Sequence, residues 1–298
     1  MKKVIVIGSS NVDMVVKTSH LPAPGETILG GEFLMNQGGK GANQAVAVKR
    51  MGGNLIFMAK LGNDLFGQQS VVYFNKEGID TRYISLDEKS ASGVALISLD
   101  AHAENSIVVA SGANMLLNEQ DVDKVVEEMY EGDILLMQLE IPIQTVVYAA
   151  RKAFEKGVKV VLNPAPACSL PKELFRYLYM ITPNRIEAEM LTGIKIINDT
   201  DTEKVAETIR VMGVKNVIIT LGSKGCLIQE DGVSYRVDAC KVEPVDTTAA
   251  GDTFNGALCV GLAEGMDLRQ AAVLASKASS IAVTRMGAQS SIPYREEL

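Results

Sequence analysis

The chain has 298 residues, 47% of them hydrophobic and 22% charged, which is ample apolar material for a large α/β core. Its net charge of −7, with no long basic stretch, argues against nucleic-acid binding, so a polyanionic substrate would need a local site. The cysteines Cys168, Cys226, Cys240 and Cys259 form no C-x-x-C pair, which suggests neither a zinc nor a redox site, and Cys226 and Cys259 read as buried thiols.

The N-terminus is Met-Lys-Lys followed by Val4–Ile7 and Gly8. That run is too short for a signal segment, and no run approaches membrane-spanning length, so a cytoplasmic chain is expected. Val4–Ile7 reads as a strand buried on both faces. Similar runs follow at 134–137, 158–162, 179–181 and 217–221. Helical patterns lie between them at 41–51, 66–77, 119–130, 143–155, 187–192 and 203–212, then from Phe254 onward and at 268–284. Strands alternating with helices predict a mostly parallel sheet flanked by helices. Such sheets bind ligands at the edge where the strands end.

Two stretches break this rhythm. Residues 13–35 and 92–110 alternate apolar and polar residues with no helix between, and the second contains a hairpin turning at 100–105. They suit a small antiparallel β lid with one apolar face, or an edge extension of the main sheet. The histidines His20 and His102 lie in polar surroundings, so no His-based triad is expected.

The chemistry-bearing segments follow the strand ends. After the first strand comes Gly8-Ser9-Ser10-Asn11-Val12-Asp13, which lacks G-x-G-x-x-G and so disfavours a nicotinamide enzyme. Asn11 and Asp13 can hydrogen-bond a polyol or simply shape a turn. Gly38-Gly39-Lys40-Gly41-Ala42-Asn43-Gln44 precedes a helix without P-loop spacing; its glycines permit close backbone approach, and Lys40 and Asn43 supply donors. Glu140 stands just beyond the 134–137 strand, either facing a ligand or solvated. Asn184 and Glu187 open a helix, where they could hold hydrated Mg²⁺ or cap the helix. Thr220-Leu221-Gly222-Ser223-Lys224-Gly225 fits a nucleotide-facing turn or a plain hairpin turn.

The most informative segment is residues 246–256, DTTAAGDTFNG. Small residues running into a helix start present free N–H groups and the positive end of the helix dipole to an anion. Asp252 in that turn is an odd neighbour for a phosphate unless it serves as a base, which suggests phosphoryl transfer. The alternative is that Asp252 only caps the helix.

Taken in order, these segments resemble the ribokinase, or phosphofructokinase-B, family of sugar kinases, from Gly8 to Glu297. Both family signatures are present, 38–43 and 246–252, with 184–187 and 220–225 between them. Asn11-Val12-Asp13, Asn163-Pro164-Ala165-Pro166-Ala167 and Gly287-Ala288-Gln289 extend the likeness.

The resemblance implies a ribokinase-like α/β fold over residues 1–298 whose lid pairs with a second subunit's lid in a homodimer. It implies ATP-dependent phosphorylation of D-ribose at O5. The alternatives are a related kinase for deoxyribose, another sugar or a nucleoside, or a non-catalytic sugar sensor. By the same likeness Asn11, Asp13, Gly39, Lys40, Gly41, Asn43 and Glu140 contact the sugar, with Asp252 as the base. Ala249, Ala250 and Gly251 form the anion hole. Asn184, Thr220, Gly222, Ser223, Lys224, Gly225 and Ser276 line the ATP site beside Gly251 and Asp252. Asn184 and Glu187 order Mg²⁺ through water. Asp246, Thr248, Ala282, Arg285, Gly287 and Ser291 surround a K⁺ ion, several through main-chain carbonyls, as suits a large monovalent cation. One departure is that the chain stops at Leu298, where relatives often continue into a further short helix; no site residue is affected.

Overall fold

Val4 and Val6 face one hydrophobic cluster while Ile5 and Ile7 face another, so the first strand has no polar side. Such a strand needs helices on both faces. The computed structural model describes residues 1–29, 31–102 and 104–298. Gly30 and Ala103, inside the two expected lid insertions, lie outside the described residues.

The elements begin with β1 (Lys3–Ile7), β2 (Asn11–Lys17), β3 (Glu32–Gly38), α1 (Lys40–Arg50), β4 (Asn54–Gly62), α2 (Leu65–Lys76) and β5 (Ile84–Asp87). Next come β6 (Gly93–Leu99), β7 (Asn105–Ala110), α3 (Glu119–Val126), β8 (Ile134–Met137), α4 (Ile143–Glu155), β9 (Lys159–Leu162), α5 (Lys172–Phe175) and β10 (Met180–Ile181). The chain continues with α6 (Arg185–Thr192), α7 (Asp199–Val211), β11 (Asn216–Thr220), β12 (Cys226–Glu230), β13 (Val233–Val237), α8 (Ala250–Ala263) and α9 (Leu268–Ala282).

Among the described residues the main sheet runs β13-β12-β11-β10-β9-β8-β1-β4-β5. It is parallel from β5 to β11, and β12 and β13 pair antiparallel at one edge. The expected mostly parallel sheet is present, with additions. Strand β4 was legible in the apolar run 55–59 but lies outside the expected set; β5, Ile-Ser-Leu-Asp, alternates as an edge strand does. Helices α1, α2, α8 and α9 cover one face around Phe57, Phe74 and Leu258. Helices α3 to α7 cover the other around Leu135, Val146 and Val205. Caps move some boundaries: α7 begins at Asp199 instead of Glu203 because Asn198 and Asp201 form a capping box. Helix α3 stops at Val126 and α9 at Ala282, short of the expected 130 and 284.

The lid is a separate sheet in the order β3-β2-β6-β7, reaching from Asn11 and to Gly38, beyond the expected 13–35. It is not wholly antiparallel. The β2–β3 and β6–β7 pairs are antiparallel, but β2 and β6 run parallel. The reason is topological: β2 follows β1 and β6 follows β5, and both insertions leave the core at the same ends of parallel strands. Register puts Met14, Val16, Phe33, Met35, Leu96 and Val108 on one face. The other face carries Asn11 and Asp13 together with Val15, Leu34 and Ile97, so both faces hold apolar residues, not one.

Candidate active site

The ends of β1, β8, β9, β10 and β11 and the starts of α1 and α8 meet at one edge of the sheet, and the site is built there. On one side, the loop after β1 is held by Asn114, in the turn following the lid. Its Oδ1 accepts from Ser10 N at 2.9 Å, and its Nδ2 donates to Asn11 Oδ1 at 2.8 Å. This fixes the side chain of buried Asn11. Glu140 Oε2 accepts from Ser9 Oγ at 2.5 Å and from Lys40 N at 3.0 Å, so the carboxylate also caps the start of α1. Glu140 thus faces inward and is not a solvated loop acid.

The glycines of 38–41 approach the protein itself. A Cβ on Gly38 would collide with the Asp13 carboxylate. One on Gly39, whose φ is +86°, would lie 2.7 Å from Asn11 N, and one on Gly41 would lie 2.5 Å from Ser9 N. Their smallness seats α1 against the β1 loop and leaves room for Asp13.

Asp252 is only 6% exposed, in the first turn of α8. Its Oδ2 accepts from Asn43 Nδ2 and its Oδ1 from Gln44 Nε2, both at 2.9 Å. It does not act as the N-cap: that position is Ala249, a non-glycine residue at φ +57°. The left-handed residue turns the chain into α8, where the Ala250 N–H donates to the Thr247 carbonyl at 3.2 Å and the Gly251 N–H follows it at the helix start. Nothing in the protein lies within 4 Å of a Cβ built on Gly251, so that corner is open space.

On the far side of Ala250 and Gly251 lies a cavity of about 540 Å³. Thr220, Gly222, Ser223, Gly225, Gly251 and Ser276 all line it, as expected of an ATP site. Its wall also includes the unanticipated 239–242 segment, Phe254 and Val283. Lys224 is exposed and outside that wall. Asn184 is also outside it, bridged to Thr220, and forms a reciprocal capping box with Glu187: Glu187 N donates at 2.9 Å and Asn184 N at 2.8 Å. The cap geometry is therefore realised. The 220–225 segment is likewise both a hairpin turn between β11 and β12 and a cavity wall.

Below α8, Asp246 accepts from Thr248 N at 2.9 Å, Thr248 Oγ1 at 2.6 Å and Gly287 N at 2.9 Å. Val245 and Asp246 N–H both reach the Val283 carbonyl. The 246–248 loop is thereby stitched to the loop after α9 that holds Ala282, Arg285, Gly287 and Ser291. The Arg285 guanidinium turns away to Glu297 at 2.5 Å. Ser291 Oγ donates to the Ala288 carbonyl at 2.8 Å.

The site concentrates negative charge around one ammonium. Burial would push the Lys40 pKa down, but Asp252, Glu140, Glu187 and Asp13 together hold it above 10.5. Burial, then Glu140 and Asp252, raise Asp13 from 3.8 to about 6, with Lys40 opposing. Burial also raises Glu187, against the Asn184 N–H and Lys40. Asp246 lies below its usual value because the Thr248 and Gly287 donors outweigh its burial. His20 and His102 take no part, lying exposed toward the lid strands.

Polar side chains gathered after β1 and β8, a cavity of about 540 Å³ beyond Ala250 and Gly251, and the buried Asp252 carboxylate in the helix turn between them are the features of a small-molecule kinase. The chain belongs to the pfkB family of carbohydrate kinases, whose model matches residues 1–295. It is 43% identical over 296 residues to ribokinase of Haemophilus influenzae, covering 99% of this chain and 97% of that one. Its fold matches the crystal structure of ribokinase from Thermotoga maritima with a TM-score of 0.91 at 39% identity, over 100% of this chain and 98% of the other. It also matches Arabidopsis thaliana ribokinase complexed with ribose and ATP, with a TM-score of 0.91 at 30% identity, over 99% and 96% of the two chains.

Sequence reasoning missed the residues that hold the site residues in place: Ser9, Asn114, Gln138, Thr182 and Asn255, and it gave Gln44 and Gln289 no role. The available signal was a polar side chain following an apolar strand, as with Gln138 after β8 or Thr182 after β10. Buried polar groups need partners, so each such residue announces a network without saying with whom.

Proposed function

We propose that the protein transfers the γ-phosphoryl group of ATP to the 5-hydroxyl of D-ribose. The observation that carries this is the place of Asp252, between the sugar-side residues Asn43 and Gln44 and the Ala250–Gly251 corner of the cavity. Asn11, Asp13, Gly39, Lys40, Gly41, Asn43 and Glu140 would bind the sugar. Asp252 would take the hydroxyl proton as the oxygen bonds to phosphorus and the bond to the ADP leaving group breaks. The N–H groups at 249–251 would stabilise the spreading negative charge, and alignment would supply much of the acceleration.

Among the described residues no group of three or more His, Cys, Asp or Glu side chains clusters as a metal cage. The donor chemistry fits Mg²⁺ held mainly by phosphates and water, with Glu187 and Asn184 behind the water. Glu187 spends only Oε2 on its cap, and the Asp252 and Lys40 charges both act on it. For K⁺, the stitched 246–248 and 282–291 loops offer oxygen donors only, Arg285 through its carbonyl. The ion would brace the anion turn without entering the chemistry. Use of ATP fits the cytoplasmic setting expected from the sequence.

An ATP-consumption assay with ribose, deoxyribose, fructose and adenosine, with and without K⁺, tests this reading. Ribose should have the highest kcat/KM. Preference for another acceptor would replace the substrate, and no turnover with any would leave a sugar sensor. Asp252→Asn should retain fold and sugar binding but lose roughly 10²–10⁴-fold in kcat. Near-normal turnover in that variant removes Asp252 from the base role.

A further inference from the structure

We infer that Gln44 and Gln289 are positioning residues for phosphoryl transfer, acting through the amide contacts that aim the Asp252 carboxylate. The inference rests on the reading of Asp252 as base.

A carboxylate only accepts hydrogen bonds, so both amides beside it must present their nitrogens. An amide keeps that orientation when its other end is committed. Gln44 Oε1 accepts from Gln138 Nε2 at 2.5 Å, and Gln44 Nε2 also donates to Asn163 Oδ1 at 3.1 Å. Asn43 Oδ1 accepts from Gln289 Nε2 at 3.1 Å. Turning either amide would set a carbonyl against the carboxylate. The Gln289 backbone is itself pinned, because Arg50 Nη1 donates to its carbonyl at 2.7 Å while the same guanidinium pairs with Glu77.

Gln44 is 0% exposed, Gln138 1%, Gln289 2% and Asn43 6%, so water has little access to replace a lost contact. The outer oxygens Gln138 Oε1 and Gln289 Oε1 have no hydrogen-bond partner among the described residues. Burying them costs stability that an apolar core would avoid. A second branch reaches the anion turn: Asn163 Nδ2 donates to the Thr182 carbonyl, Thr182 Oγ1 to Asn255 Oδ1, and Asn255 Nδ2 to the Gly251 carbonyl. Gln44 therefore links the Asp252 carboxylate to Gly251, whose N–H is proposed to face phosphate, and Gln289 steadies Asn43 on the other side of that carboxylate.

The test is Gln44→Met and Gln289→Met, each alone and combined with Asp252→Asn. Each methionine keeps the side-chain length and removes the amide. With Asp252 present, kcat should fall roughly 10–100-fold, as for a catalytic group displaced by a fraction of an ångström to an ångström. KM for ATP should stay within roughly 3-fold in both variants and KM for ribose in Gln44→Met, while Gln289→Met, which also releases Asn43, should raise KM for ribose less than it lowers kcat. In the Asp252→Asn background the same substitutions should change kcat by less than about 2-fold, since residues acting through one group are not additive. Unchanged kcat, a loss confined to KM, or equal losses in both backgrounds would overturn the proposal. Gln289 lies in the closing segment outside the sheet, so Gln289→Met decides the matter if Gln44→Met does not fold. A harmless Asp252→Asn would refute the base assignment, whereas additive losses on a damaging Asp252→Asn would refute only the positioning role.

Discussion

Asp13 carries a stability cost at neutral pH that its proposed place against the sugar would explain. Its pKa is 3.8 in an ordinary setting and about 6 in the fold. The native state therefore holds the proton more tightly than the unfolded chain does. That contribution to stability is complete below pH 3.8 and is lost as pH rises through 6. At pH 7.5 the ionised carboxylate costs on the order of 2–3 kcal/mol. An ionised acceptor binds sugar hydroxyls well, which is what the role proposed for Asp13 requires. Asp13→Asn should raise the melting temperature at pH 7.5, have little effect at pH 4, and weaken ribose binding at neutral pH. Calorimetry at the two pH values checks this, and an Asp13→Asn protein less stable at pH 7.5 would contradict it. In the unmodified protein, KM for the sugar should rise as pH falls below about 6.

At the scale of elements, the start of α8 is the decisive piece. Ala249 at φ +57° stores strain of a kind that concentrates at functional turns. Helix α8 packs on α1 closely enough that a Cβ on Gly256 would lie 2.5 Å from Ala47 Cβ, so Asp252 and the residues at the start of α1 are held as one unit. Gly251 is different, since a Cβ added there would meet no described atom within 4 Å beyond its own turn of the chain. Gly251→Val should therefore fold and melt almost as the parent does while losing roughly 10²-fold or more in kcat, as when an oxyanion donor is lost. Unchanged turnover would show that phosphate does not pass this corner. The 246–256 turn was readable because composition alone signals it: small residues, then an apolar helix. The 220–225 and 184–187 segments left two readings open, and the structure realises the structural one in each case while 220–225 also lines the cavity. Local sequence cannot separate the two roles, because capping and ligand binding use the same free N–H groups.

For the molecule as a whole, the lid poses the largest unanswered demand. Phe33 is 59% exposed, Leu96 53% and Val108 63%, all on the lid face opposite Asn11 and Asp13. An apolar patch of this kind on a small sheet calls for a partner, and the proposed homodimer would bury it against its own copy. Leu96→Glu should convert a dimer to a monomer in light scattering and raise KM for ribose more than it lowers kcat. A protein that is monomeric before substitution would dispose of this arrangement.

The order of layers was fixed by short-range pattern. Continuous apolar strands demand helices on both faces, and alternating ones demand a lid, because burial depends on which neighbours along the chain are apolar. The direction of β6 beside β2 and the partners of Asp252 were not available in that way. Asn43 and Gln44 lie 209 and 208 residues from the aspartate they hold, and Gln289 lies 246 residues from Asn43. A lone polar residue carries no periodicity, and its hydrogen-bond partner is selected only when distant segments are packed against each other. The chain's own pattern therefore pointed to the turn where phosphate and sugar are proposed to meet, while the tertiary structure decided which amides hold the Asp252 carboxylate there.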